Sequence, residues 1–121
     1  RKVLLFAPHG EYHEIPLLFM WYLLKKNGIP VAYLGINTDI EVVEQYCSRQ
    51  PVSELYFYMI TNLVNCNLCD YAADLSGRLP GKQIFFSGSN TCQVRVKPQN
   101  VTVLKSSSEI LSFVGSEPVY S

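Results

Sequence analysis

The sequence is short of nearly everything that marks a nucleic-acid binder, a membrane protein or a disulfide scaffold. Of its 121 residues only 17% are charged, and ten basic side chains cancel ten acidic ones. A neutral surface has little electrostatic hold on phosphate, so no direct nucleic-acid contact by this piece is expected. No apolar run is long enough to span a bilayer, so no membrane association is expected. Arg1-Lys2 leads into a strand-like segment, not a signal peptide. The four cysteines are irregularly spaced, which fits a reducing cytoplasm better than a disulfide framework. Paired carboxylates and a hydrolase elbow are missing. Gly81-Lys82 lacks the glycine spacing of a phosphate loop, and Ser107 and Ser108 have no histidine placed to activate them. An independent enzyme is not expected. Nor is there an initial methionine, so further N-terminal sequence is expected in the intact protein.

What the chain does have is a core. Hydrophobic residues make up 48% of it and aromatics 12%, enough for one compact domain without staples. The apolar pattern alternates between short β-rich blocks and longer helical ones. Strands are predicted over Val3–Ala7, Val31–Ile36, Glu54–Thr61, Gln83–Ser87 and Val101–Leu104. Helices are predicted over Glu14–Lys26, stopped by Asn27-Gly28; from a cap at Thr38 or Asp39 to Arg49, stopped by Pro51; from Asn65 or Asn67 to Ser76, ended by Gly77; weakly over Thr91–Val96; and after Ser106, whose spacing to Glu109 suits a capping box. Such alternation implies a parallel sheet covered by helices on both faces. Ligands in such sheets sit at the carboxyl ends of the strands. Residues 1–115 read as one module and 116–121 as a frayed tail.

At that edge lies "FAPHGEYHEIP", residues 6–16. A carboxylate beside an imidazole fixes its tautomer and makes it a more basic metal ligand. Glu11 and His13 are therefore the candidate pair. The plainer reading is a helix start, with Glu11 and Glu14 favoured by the helix dipole. His9 reads as a solvated loop residue, and a His9–His13 zinc pair has only loop spacing behind it. Cys66 and Cys69 form a Cys-x-x-Cys at a predicted helix start, where a redox role and simple packing compete. Leu17–Leu24, "LLFMWYLL", is apolar around the whole helix. One stripe covers the sheet, and the other suits a second domain or protomer, with Phe19, Trp21 and Tyr22 as anchors.

Acidic residue, spacer, histidine after the first strand resembles the cobalamin-binding domain. The likeness is nearest to the C-terminal sensor domains of MerR-like transcription regulators and covers residues 1 to about 114, most specifically from Gly10 through Tyr33-Leu34-Gly35 to Val43. It implies an α/β, three-layer, Rossmann-like (flavodoxin-like) fold, a five-stranded parallel sheet of order 2-1-3-4-5. It implies cobalamin as cofactor, with His13 as the cobalt ligand supported by Glu11. The family's later glycine falls on Pro16, its Ser-x-Leu on Tyr58-Met59-Ile60 and its Gly-Gly on Ser87-Gly88. Those small residues line a slot for the cofactor's nucleotide tail, and Tyr58 would place a ring there at a cost of roughly 1–3 kcal/mol. The implied role is an effector-sensing or oligomerising domain, homo-oligomeric and cytoplasmic, of a bacterial regulator whose helical and DNA-binding domains precede it. The alternatives are the cobalamin-carrying component of a methyltransferase or mutase, and a Cys-x-x-Cys redox module.

Overall fold

Six consecutive apolar residues form β1 (Val3–Pro8), buried at every position. A strand with no polar face must lie between two packed layers, which makes β1 an interior strand of the sheet. A computed structural model of the chain describes residues 1–59, 68–88, 100–104 and 106–115, with residues 68–70 by backbone alone. The remaining elements are α1 (Ile15–Lys26), β2 (Val31–Thr38), α2 (Ile40–Arg49), β3 (Glu54–Met59), α3 (Leu68–Arg78), β4 (Gln83–Gly88), β5 (Val101–Val103) and α4 (Ser107–Phe113). The sheet is five-stranded and parallel in every pairing, in the order β2-β1-β3-β4-β5. Fold class and strand order are those expected from the sequence.

Alternation along the strands divides the core into two layers. Leu4, Phe6, Leu55, Phe57, Ile84 and Phe86 pack beneath α2 and α3. Within that layer the Phe57 ring stacks on Phe86, their centroids 5.1 Å apart. Val3, Leu5, Ala7 and Tyr56 pack on the other face with Leu17, Met20 and Leu24 of α1 and Phe113 of α4. Burial of the i, i+3, i+7 set on α1 leaves its opposite stripe without cover. Ile15, Leu18, Phe19 and Tyr22 are all exposed there.

Several boundaries differ from the sequence reading. Gly77 does not end α3: the helix runs through it to Arg78, and Leu79 N still bonds to Leu75 O. No atom lies within 4 Å of where a Cβ on Gly77 would point, so this glycine is neither a cap nor a close approach. Thr38 closes β2 and donates its hydroxyl to Gly35 O at 3.0 Å, which leaves Asp39 as the N-cap residue of α2. The Ser106 cap is as expected, with its Oγ accepting from Glu109 N at 3.2 Å. The end of the predicted third strand, the starts proposed at Asn65 and Asn67, the weak helix over Thr91–Val96 and the tail all lie outside the described residues.

Candidate functional site

The carboxyl edge of β1 turns sharply. Glu11 N donates to Pro8 O at 2.9 Å, and Gly10 between them has φ of 89°. A turn of this type needs a positive φ at its third residue, which glycine adopts without a steric penalty. The turn sends Glu11 back into the protein, where it is fully buried. Its Oε1 lies 2.6 Å from His13 Nδ1 and also accepts from His13 N at 3.3 Å.

That geometry settles the division of labour in the imidazole. A carboxylate only accepts, so Nδ1 carries the hydrogen and donates it. In the neutral ring Nε2 then holds the lone pair. The His13 side chain is 56% exposed while that of Glu11 is completely buried. A basic nitrogen is thus offered to solvent by a group anchored inside, which is the arrangement of a metal-ligating histidine with an outer-shell carboxylate. Among the described residues no group of three or more His, Cys, Asp or Glu is placed to enclose a metal ion. The pair suits a single protein ligand to a metal that would bring its other ligands with it.

Neighbouring elements hold the loop. Asn37, at the end of β2, donates its N–H to Glu11 O at 2.9 Å and accepts Gly10 N–H on Oδ1 at 2.9 Å. Tyr33, also on β2, donates its hydroxyl to Glu14 Oε2 at 2.6 Å and stacks on Trp21 with ring centroids 4.8 Å apart. Burial, then the Glu14 carboxylate, raise the Tyr33 phenol far above its ordinary range. Glu14 is the N-cap residue of α1 but makes no side-chain capping bond, its carboxylate accepting from Tyr33 instead. His9 is exposed and sits 3.0 Å from Asp39 Oδ1.

Of the other predicted positions, Pro16, Tyr58, Ser87 and Gly88 fall on the same rim. Pro16 is in the first turn of α1, where its missing N–H costs no bond. Tyr58 of β3 is paired with Ser87 of β4, and Met59 with Gly88. Tyr58 is half-buried on the α1 face. Ser87 is buried and donates its Oγ to Leu104 O at 2.9 Å. Ile60 and Cys66 lie outside the described residues, and Cys69 is described by backbone alone. Cys47 is buried, and burial pushes its thiol pKa up, away from reactivity. The sequence reading missed Asn37 and Tyr33. The only signal for Asn37 was a turn-forming residue type after a strand, and nothing in the sequence linked Tyr33 to Glu14.

No known family profile matches the chain, and no curated protein is significantly similar to it. Solved structures do match. A cobalamin-binding protein from Desulfitobacterium hafniense DCB-2 aligns with TM-score 0.63 and 13% identity, over 94% of this chain and 49% of that one. The monomethylamine corrinoid protein of Methanosarcina barkeri aligns with TM-score 0.71 and 17% identity, over 93% of this chain and 55% of that one. The RcsB response regulator of Salmonella typhimurium aligns with TM-score 0.53 and 10% identity, over 96% of this chain and 57% of that one. The chain therefore spans about half the length of these structures. At such identities the likeness establishes the fold alone: a Rossmann-like α/β domain with a five-stranded parallel sheet.

Proposed function

We propose that this domain is the effector-sensing and oligomerising module of a MerR-like regulator, and that its effector is a corrinoid held on His13. One observation carries the reading. The fully buried Glu11 carboxylate fixes His13 through Nδ1 at 2.6 Å and leaves Nε2 as a ligand. The donor set would fit a corrinoid, which brings its other cobalt ligands with it, and His13 Nε2 would be the residue atom that holds it. Bound there, the corrinoid would supply its cobalt chemistry. Glu11 would orient the imidazole and hold the Nδ1 proton, and Tyr33 would hold Glu14 and the start of α1 beside it. The tail side fits less well, because Tyr58 occupies space beside Ser87, and the serine hydroxyl is already bonded to Leu104 O. A corrinoid seated here would depend on its ring more than on a threaded tail.

A sensor must also convert occupancy into assembly, since a ligand switches only an equilibrium whose states it binds unequally. The assembly surface in this reading is the exposed stripe of α1, and its occupant is a second copy of the chain. Glu14 precedes the stripe, and Lys25 and Lys26 end the helix, all exposed. Two such helices packed antiparallel about an axis near Phe19 set Glu14 of each against the lysines of the other. This is the self-complementarity that a two-fold interface needs.

The test of the ligand is direct. The domain is incubated with hydroxocobalamin, desalted, and its visible spectrum recorded beside that of His13→Ala. Retained colour that depends on His13 supports the reading. Colour that is absent, or indifferent to His13, overturns it. The cobalamin-carrying component of a methyltransferase is the second reading, favoured by the likeness to the M. barkeri corrinoid protein. It requires methyl transfer from a methylated cobalt to an added thiol.

A further inference from the structure

We infer that Asn37 is a positioning residue, a clasp on the end of β2 that keeps Glu11 and His13 aligned. This rests on the proposed function only for the identity of what His13 meets. Two hydrogen bonds make the clasp, and neither belongs to the sheet ladder. Gly10 N–H donates to Asn37 Oδ1, and Asn37 N–H donates to Glu11 O, both at 2.9 Å. They bracket the peptide between Gly10 and Glu11, just where the chain reverses and where its glycine is the least constrained residue.

Asn37 is the one non-glycine residue with positive φ among the described residues, at 52°. Most side chains resist that conformation, whereas asparagine adopts it readily. The position thus asks for two properties at once: a left-handed backbone, which aims the Asn37 N–H at Glu11 O, and a short side-chain acceptor, which reaches Gly10. Glycine meets the first alone, alanine meets neither, and aspartate meets both. The other link between these loops, His9 to Asp39, is exposed on both sides and so adds little hold in water.

The consequence reaches His13 through Glu11. The buried carboxylate aims the imidazole, and the Glu11 main chain is fixed on one side by Pro8 O and on the other by Asn37. Removing the Asn37 acceptor frees Gly10, lets the turn open and loosens the Nδ1–Oε1 bond.

The experiment uses Asn37→Gly and Asn37→Asp in the ligand-free chain, with circular dichroism to establish that each is folded. Two signals are read: amide hydrogen exchange at Gly10, and the His13 tautomer from imidazole nitrogen spectra in mildly alkaline buffer. Asn37→Gly should exchange Gly10 roughly tenfold faster than wild type, the loss of about one hydrogen bond. It should also change His13 from a single Nδ1–H tautomer to a mixture. Asn37→Asp should keep both signals near wild type. Unchanged Gly10 exchange and an unchanged tautomer in folded Asn37→Gly would overturn the inference, as would Asn37→Asp behaving like the glycine variant. Neither signal involves a corrinoid, so failure to retain hydroxocobalamin would sink the proposed function while leaving the clasp standing.

Discussion

Tyr58 and Ser87 face each other across the β3–β4 pairing, and the serine hydroxyl is turned to the carbonyl of Leu104, 2.9 Å away. A phenol ring and a hydroxyl already in use therefore stand together at the carboxyl edge of the sheet. Tyr58→Ser should enlarge that space at a cost of roughly 1–3 kcal/mol, because a half-buried ring is removed. The variant should retain cobalamin better than wild type, whereas tailless cobinamide should bind both alike. Spectrophotometric titration with the two corrinoids checks this, and equal gains for both would show that the ring does not guard a tail slot.

Glu11→Gln keeps the shape of the buried side chain but replaces a charged acceptor with a neutral amide. Outer-shell partners of this kind typically contribute 10- to 100-fold to metal affinity. Hydroxocobalamin retention should fall by about that factor, less completely than in His13→Ala. Equilibrium dialysis of the two variants in parallel gives the order. A Glu11→Gln domain as tight as wild type would mean that the carboxylate serves only the loop.

Tyr56 is buried, and burial pushes its phenol up to about 12 despite the hydroxyl of Ser87, which acts the other way. The unfolded chain ionises this group near pH 10. Between those values the unfolded state binds fewer protons, so stability falls as pH rises. Below about pH 10 the two states bind the same proton, and Tyr56 gives no slope. The stability measured by urea unfolding should therefore drop further between pH 8 and pH 11 in wild type than in Tyr56→Phe, by about 1.4 kcal/mol. Equal drops in the two proteins would contradict this assignment.

Phe19 is exposed at the middle of the α1 stripe. Sedimentation velocity across a concentration series should show wild type passing from monomer to dimer. Phe19→Glu should stay monomeric, and Lys25→Glu with Lys26→Glu should weaken the dimer. A wild type that is monomeric throughout would exclude self-association on this face.

Gly77 lies within α3 with open space where a side chain would go. Gly77→Ala should stabilise the domain by roughly 0.5–1 kcal/mol, since glycine loses more backbone freedom in a helix. Thermal melts decide it. A lower midpoint would show that the site is not the open helical position described.

Much of this architecture was legible in the chain. The five apolar blocks carry a strong period signal, and Ser106 with Glu109 announced its helix in two residues. Glu11 and His13 were legible because a carboxylate two residues before a histidine leaves a local mark. Gly77 misled because an exposed glycine and a capping glycine have the same letter, and only the space around them differs. Asn37 was hidden because its partners are Gly10 and Glu11, 27 and 26 residues away, joined to it only when β2 aligns beside β1. Tyr33 and Glu14 were hidden in the same way.

The alignment of β1 with β2 has one more implication. Val3 stands beside Val31, yet Pro8 stands beside Thr38, with two register shifts in between. β2 thus uses eight residues against six in β1, and Gly35, with φ of 98°, lies in the irregular part. The surplus length brings Asn37 level with the histidine loop. Deleting a single residue between Gly35 and Asn37 would withdraw the amide from its partners while leaving every side chain of the site unaltered. The site is therefore more vulnerable to a change of count in β2 than to most changes of letter.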